Sequence, residues 1–296
     1  RRQRQMCIRD RSVSDIESEM QEIYGINLST SAISIITNKV SQAASEWQNR
    51  PLESLYMIVW MDGIVFKVRE NGKVINKTVY LCVGLNKEGL KEVLGMWVGK
   101  NESAAFWMGV LTDLKARGVE DILITVTDNL NGFTETIKSV FPTSTTQICV
   151  VHQIRNSCRY VVWKEKKEFT SDLKNIYNAP TKEAAKMELE NFEQKWGTKY
   201  PYAIRSWRNN WEELTVFFDF PVEIRKIIYT TNLIENLNGK IRKYTKNKLS
   251  FPNDDALKKS VYLAITEIEK KWYQPIWNWA LIFNQFITIF ENRIQV

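Results

Sequence analysis

An apolar run followed by a tight-turn dipeptide limits what the central part of this chain can fold into. The run Tyr56–Met61 is continuous and short, which is typical of a strand buried on both faces. Two more strand-like segments, Ile64–Val68 and Val74–Gly84, flank Asn71-Gly72, a dipeptide that favours a two-residue β-hairpin turn. We therefore predict three consecutive antiparallel strands in this region.

Strand and helix patterns alternate after this hairpin. Val93–Val98 is predicted to add a short strand or a turn. The spacing of apolar residues then predicts a helix over Ser103–Arg117, a strand over Asp121–Thr127, a helix over Thr134–Phe141 and a strand over Gln147–Val151. A hairpin meander followed by crossover connections predicts an α/β fold in which helices flank a mixed sheet.

The rest of the chain has mainly helical patterns. Strand signals nearly vanish from Gln153 to Phe220, which predicts an all-α insertion, and helices are predicted over Thr230–Lys248 and Asp254–Trp272. The aromatic C-terminal segment is interpreted as a packing helix, with a partner-binding surface as the alternative. We divide the chain into a non-native segment (1–11), a helix-turn-helix-like remnant (12–50), the first part of the core (51–152), the insertion (153–222) and the second part of the core (223–296).

The N-terminal region has a different character. Arg1–Arg11 shows neither periodicity nor caps and is similar to translated sequencing-adapter read-through, so we treat it as a scar and the chain as N-terminally truncated. Apolar spacing predicts a helix over Val13–Tyr24 and a second helix that is capped by Ser29 or Thr30. Such a pair fits a DNA-binding helix-turn-helix unit, and an ordinary helical hairpin is the alternative. Trp47–Pro51 is predicted to be a linker.

Charge and cysteine content narrow the class of protein. The net charge is +7 and the isoelectric point is about 9.1, which favours an anionic partner. The four cysteines show no disulfide framework, which favours a reducing cytoplasm. No apolar run in the sequence reaches membrane-spanning length, and no signal peptide is recognised.

Three carboxylates are candidates for chemistry. Asp62 and Asp128 each follow a predicted buried strand, and side chains at strand ends gather at one rim of a sheet. A turn-forming or helix-capping role is the alternative. It is stronger for Asp128, which Asn-Leu-Asn-Gly follows, and weaker for Asp62, whose strand pattern continues into Ile64-Val65-Phe66. Glu235 lies in a helical pattern ahead of five basic residues, Lys240, Arg242, Lys243, Lys246 and Lys248. Three such carboxylates can hold two divalent cations that act on a phosphodiester.

These acids lie in recognisable sequence segments. Asp62 lies in WMDGI, Asp128 in VTDNLNGF, Cys149 and His152 in CVVH, and Glu235 in YTTNLIENLN. Together with NKTVYLCVGLN, EVLGMWV, NESAAFW and FPVEIRKIIYTTN, they resemble the signatures of Mutator-type bacterial insertion-sequence transposases. The resemblance runs from about Ser12 to the C-terminus. Each motif alone is weak, whereas their common order and spacing are highly specific.

The resemblance implies a fold and an activity. It implies an RNase H-like core whose catalytic DDE triad maps to Asp62, Asp128 and Glu235, with an α-helical insertion ahead of the glutamate. It also implies two Mg²⁺ or Mn²⁺ ions, hydrolysis of a phosphodiester by activated water, and attack of the freed 3′-hydroxyl on target DNA. The implied partners are double-stranded DNA, both terminal inverted repeats and target, and further copies of the chain in the DNA complex. The implied location is the bacterial cytoplasm, at the nucleoid.

Auxiliary and DNA-binding residues are assigned on weaker grounds. His152 is expected to orient a phosphate or a carboxylate ligand, Cys149 to act as a small buried residue, and Asn232 to support the site. Zinc is disfavoured because Cys149 and His152 supply only two ligands and no second pair has metal spacing. The candidates for phosphate contacts are Arg225, Lys226, Lys240, Arg242 and Lys243.

The chain also departs from the family pattern. Asn129 and Asn131 stand where many relatives carry Gly and Lys, which affects fine tuning rather than the class of reaction. Two alternatives to an active transposase remain open at this point. One is a catalytically inactive DNA-binding fragment of a transposase, and the other is an RNase H-fold nuclease with another role.

Overall fold

The computed structural model describes residues 21, 29–100, 103–130, 132–229, 232–246 and 248–294. The predicted N-terminal scar and nearly all of the predicted helix over Val13–Tyr24 lie outside these residues. The strands are β1 (Leu55–Glu70), β2 (Lys73–Leu85), β3 (Lys91–Gly99), β4 (Asp121–Thr127) and β5 (Thr145–Ile148). The helices up to β5 are α1 (Thr30–Gln48), α2 (Ala104–Ala116) and α3 (Phe133–Val140).

After β5 the regular elements of the described part of the chain are helices, joined by loops. They are α4 (Val150–Cys158), α5 (Lys166–Tyr177), α6 (Lys182–Trp196), α7 (Pro201–Asn209), α8 (Trp211–Thr215), α9 (Val222–Ile228), α10 (Asn232–Thr245), α11 (Asp254–Glu269) and α12 (Trp279–Ile289). No strand occurs among the described residues between 153 and 222. None of the helices described is long and apolar enough to cross a membrane.

The five strands form one mixed sheet with the order β3-β2-β1-β4-β5. The pairs β1–β2 and β2–β3 are antiparallel, and the pairs β1–β4 and β4–β5 are parallel. A meander of three antiparallel strands extended by two parallel crossover strands is the RNase H-like arrangement. The predicted α/β class, with a mixed sheet flanked by helices, is therefore confirmed.

The hairpin prediction was right about the turn and wrong about the strand count. Asn71 and Gly72 both have positive φ, 48° and 76°, as a two-residue turn between β1 and β2 requires. The segments Tyr56–Met61 and Ile64–Val68 are not two strands but one, β1, which continues through Asp62. The third antiparallel strand is β3, where a short strand or a turn was predicted.

Glycine at position 63 allows β1 to continue without a break. Gly63 pairs with Tyr80 on β2, and a Cβ atom there would lie 2.7 Å from Cγ2 of Thr78. Any larger residue would push the two strands apart at this point. The residue that the sequence marks as a strand end therefore lies within a 16-residue strand.

Two further boundaries differ from the predictions. The predicted linker over Trp47–Pro51 begins inside α1, because Trp47 packs on Tyr262 and on the guanidinium of Arg50. The strand predicted over Gln147–Val151 ends at Ile148. The next residue, Cys149, donates its backbone N–H to the carbonyl oxygen of Thr127 and begins α4. The predicted cap at Ser29 is confirmed, since its hydroxyl accepts from the N–H of Ala32.

The sheet separates two apolar cores. Successive side chains of a strand point to opposite faces, so Val59 and Met61 join the smaller core under α2 and α3, whereas Trp60 and Ile64 join the larger one. The larger core also contains the buried faces of α10 and α11. Asp62 has the same parity as Trp60 and Ile64, so its carboxylate points to the face that α10 covers.

Candidate active site

The pairing register of the sheet brings two carboxylates side by side. Trp60 on β1 pairs with Val126 on β4 in the parallel ladder. Asp62 and Asp128 each lie two residues further along, so they are neighbours at the carboxyl end of that ladder. Parallel strands present such residues at the sheet rim where sites gather. β4 ends at Thr127, so Asp128 occupies the strand end that the sequence predicts for it.

Hydrogen bonds to both of its carboxylate oxygens fix Asp62. Its Oδ1 accepts from the backbone N–H of Gly63 at 2.8 Å, and its Oδ2 accepts from Nδ2 of Asn238 on α10 at 2.7 Å. The side chain is buried. Burial, and next the negative charge of Asp128, raise the pKa of Asp62 to about 7. A positive charge placed here would therefore be strongly favoured.

His152 connects Asp128 to Glu235. Its Nδ1 lies against Oδ1 of Asp128, and its Nε2 is 3.6 Å from Oε1 of Glu235. Burial alone would lower the pKa of His152, but pairing with Asp128 and with the Cys149 thiol outweighs it and raises the pKa to about 11. The histidine therefore lies between two carboxylates that favour its charged form. Cys149 itself is buried, as predicted.

Glu235 reaches this cluster from α10. The helix buries Ile234, Leu237 and Ile241 in the larger core, which leaves Glu235 on its half-exposed side. Both carboxylate oxygens of Glu235 accept from Arg155 on α4, with Oε1 at 2.5 Å from Nη1 and Oε2 at 2.9 Å from Nη2. The three predicted carboxylates thus lie on the same side of the sheet, and Glu235 is held by an arginine that the prediction did not include.

The donor set fits a divalent cation. Asp62, Asp128 and His152 each offer one ligand atom, and these three atoms lie within 4.8 Å of one another. Two atoms of these residues, Oδ1 of Asp128 and Nδ1 of His152, are buried and lie against each other. Carboxylate oxygens are the ligands that Mg²⁺ and Mn²⁺ prefer.

Two site residues were missing from the sequence prediction, although each had a usable signal. Asn238 lies one helical turn after Glu235, and Arg155 lies one turn after His152, so each shares a face with a predicted site residue. Asn232, the predicted auxiliary residue, is instead exposed at the start of α10.

The predicted phosphate contacts divide into two groups. Arg225 donates to the carbonyl oxygens of Pro180, Phe218 and Phe220, and its guanidinium lies over the Phe218 ring, so its polar atoms hold the fold together. The remaining candidates are exposed and form no ion pair with a carboxylate among the described residues: Lys226, Lys240, Arg242 and Lys243. Three of these four follow Glu235 on α10.

Comparisons with known proteins give a consistent family. The family model described as "Transposase, Mutator family" matches residues 5–275. The probable transposase for insertion sequence element ISRM3-like of Sinorhizobium fredii (strain NBRC 101917 / NGR234) is 43% identical over 289 residues, which are 97% of this chain and 72% of the relative. The transposase for insertion sequence element ISRM3 of Rhizobium meliloti (strain 1021) is equally similar over the same shares.

More distant similarities extend this picture. A probable transposase for an insertion sequence element of Corynebacterium diphtheriae is 39% identical over 261 residues, 88% of this chain and 76% of the relative. Among solved structures, the Drosophila P element transposase strand transfer complex aligns over 90% of this chain and 91% of that chain. Its TM-score is 0.41 and its sequence identity is 8%.

Proposed function

The chain belongs to the Mutator family of transposases, and from this premise we propose that it cleaves DNA strands at insertion-sequence ends and joins them to target DNA. Asp62, Asp128 and Glu235 are the proposed catalytic carboxylates. The observation that carries the proposal is the sheet register, which places Asp62 beside Asp128 on the face where α10 brings Glu235. Clustered carboxylates at a strand rim are suited to phosphodiester chemistry.

Asp62 and Asp128 are the proposed holders of two Mg²⁺ or Mn²⁺ ions, and Glu235 is the proposed third ligand. Bound there, such ions activate the attacking oxygen and stabilise the leaving oxygen. Among the chain's own groups, Gly63 and Asn238 hold the Asp62 carboxylate in one orientation. His152 holds Asp128 and Glu235 on either side of one imidazole. The protein thus organises Asp62 and Asp128 before DNA arrives, which is how positioning lowers a reaction barrier.

The proposed DNA contacts come from exposed basic side chains of the protein. Lys226, Lys240, Arg242 and Lys243 are exposed positive charges, and contact between such groups and phosphate adds affinity without reading sequence. The proposed DNA partners are the terminal inverted repeats of the element and the target duplex. We further propose that several copies of the chain act together on DNA, and that residues 153–222 form an insertion between the two parts of the catalytic core.

Strand-transfer assays test this proposal. Labelled duplexes carrying the ends of the source element would be incubated with the protein and Mg²⁺, beside Asp62→Asn, Asp128→Asn and Glu235→Gln. Each substitution removes one negative ligand, so we expect roughly 10³-fold or greater loss of cleavage and joining. Filter binding should show that the variants still bind the duplex.

Two results would contradict the proposal. DNA binding by the wild type without any cleavage would indicate an inactive DNA-binding protein. Cleavage of structured DNA or of RNA–DNA hybrid without joining would instead indicate an RNase H-fold nuclease with another role.

A further inference from the structure

The contact between Arg155 and Glu235 separates one carboxylate from the others. Ligand atoms of Asp62, Asp128 and His152 form a tight cluster, and Glu235 is not a member of it. Both oxygens of Glu235 accept from the Arg155 guanidinium instead. A carboxylate with both oxygens in a bidentate pair has its best acceptor directions occupied. In this arrangement Glu235 is beside the proposed cation site rather than in it.

Arg155 itself is open to a ligand. Its side chain is 57% exposed, whereas that of Glu235 is 22% exposed. Glu235 is the one carboxylate that Arg155 contacts among the described residues. The planar fork of a guanidinium matches a phosphate as well as it matches a carboxylate. A DNA phosphate that approaches the site would therefore meet an arginine that can exchange one anion for the other.

The energy of such an exchange is small. An ion pair between partly exposed side chains contributes little stability, because water and salt screen it and both side chains lose freedom. A DNA phosphate that binds the Arg155 guanidinium can offset such a small cost. Even while it is paired with Arg155, Glu235 has one carboxylate oxygen 3.6 Å from Nε2 of His152, which belongs to the cluster.

We propose that Arg155 is a positioning residue that holds Glu235 out of the cation site until a DNA phosphate takes its place on the guanidinium. This inference rests on the proposed function, because it assumes that Glu235 is a ligand of the catalytic cations. It predicts that DNA and divalent cations strengthen each other's binding. Such coupling is reciprocal: the factor by which DNA raises the protein's affinity for the cation equals the factor by which the cation raises its affinity for DNA.

Cation titrations test the proposal without any turnover. The Kd of Mn²⁺ would be measured by electron paramagnetic resonance for the full chain, alone and with a short duplex of arbitrary sequence. The variants are Arg155→Gln and, as a matched control, Arg159→Gln. Arg159 is exposed just beyond the end of α4 and forms no ion pair with a described residue. Both changes remove one positive charge from the same region, and both positions are open enough to leave the fold intact.

The expected result has two parts. Without DNA, Arg155→Gln should bind Mn²⁺ about fivefold more tightly than the wild type, since Glu235 is then free to act as a ligand. With DNA, the wild type should gain affinity for Mn²⁺, and Arg155→Gln should gain much less. Arg159→Gln should keep the wild-type coupling. Arg155→Lys, which keeps the charge but loses the fork, should fall between the two.

Three results would overturn the proposal. Equal Mn²⁺ affinities of Arg155→Gln and Arg159→Gln, with equal DNA coupling, would show that Arg155 does not control Glu235. Weaker Mn²⁺ binding by Arg155→Gln in the absence of DNA would show that Arg155 directs Glu235 into the site. If the wild type cleaves DNA in either case, the proposed function stands and this inference alone fails. A wild type that binds no Mn²⁺ under either condition would overturn the cation site and this inference together.

Discussion

Asn238 illustrates how a neutral side chain can control a carboxylate for which a catalytic role is proposed. It is buried on α10, one turn from Glu235, and donates to Asp62 across the space between helix and sheet. The bond fixes the direction of one Asp62 oxygen while Gly63 fixes the other. Groups that orient metal ligands are generally needed for full cation affinity.

Replacing Asn238 should therefore weaken cation binding at the proposed site. For Asn238→Ala we expect a loss of about 10–100-fold in Mg²⁺ affinity, because the Asp62 carboxylate becomes free to rotate and stays buried with one unpaired oxygen. The measurement is the Mg²⁺ dependence of DNA cleavage. Asn236→Ala is the control, since Asn236 is exposed on the same helix. Equal Mg²⁺ dependence of the two variants would refute the role assigned to Asn238.

At the scale of elements, a partly buried acid joins α11 to β3. Glu269, the last residue of α11, accepts from the backbone N–H of Val93 at 2.7 Å. Burial raises the pKa of Glu269, and the Val93 hydrogen bond opposes this effect only in part. The folded protein therefore holds a proton on this group more tightly than the unfolded chain does.

The sign of the pH dependence follows from linkage. A carboxyl group whose pKa is raised by folding makes stability fall as pH rises from its unfolded pKa through its folded pKa. In Glu269→Gln the stability should decrease less as pH rises, because the amide keeps an oxygen acceptor for Val93 and carries no charge. Urea unfolding of the metal-free protein at several pH values measures this effect. Glu267→Gln, at an exposed position of the same helix, should keep the wild-type pH profile, and a flattened profile there would argue against the assignment.

At the scale of the whole molecule, the C-terminal segment is attached to the sheet through Gly89. Gly89 has a φ of +77°, and its carbonyl oxygen accepts from the N–H of Ile276. The indole of Trp279 covers it and donates to the carbonyl oxygen of Lys87. A Cβ atom at position 89 would lie 2.4 Å from Cγ of that indole. The loop between β2 and β3 can hold the final helix only if residue 89 is glycine.

Gly89→Ala should loosen this attachment. We expect a loss of about 2–4 kcal/mol in the free energy of unfolding, from the left-handed backbone and the clash together. Limited proteolysis should then cut before α12 faster than in the wild type. Gly109→Ala is the contrasting control. Gly109 lies within α2 with open space around it, so alanine should raise the free energy of unfolding by about 0.5–1 kcal/mol. Similar effects of both changes would contradict the account of Gly89.

The sequence predicted the ends of an element correctly where residues within that element alone determine them. Strand β4 begins and ends where its apolar run does, and α2 ends before Gly118, which has a φ of +108°. It was a poor guide at Asp62, where local polarity suggested a strand end. The strand continues there because bonds from Gly63 and from a distant helix stabilise the buried carboxylate. No pattern within β1 contains that information.

What the sequence determined by itself is the type of each main element, the family, and three acids set in strongly patterned segments. Periodicity suffices for this because it reflects backbone geometry and burial, which are local. Only the tertiary structure decided which atoms meet: Asn238 donates to Asp62 across 176 positions, and Arg155 pairs with Glu235 across 80. It also showed that Arg225 donates hydrogen bonds to backbone carbonyl oxygens. Such contacts depend on strand register and on the seating of helices over the sheet, which arise only when distant segments pack together.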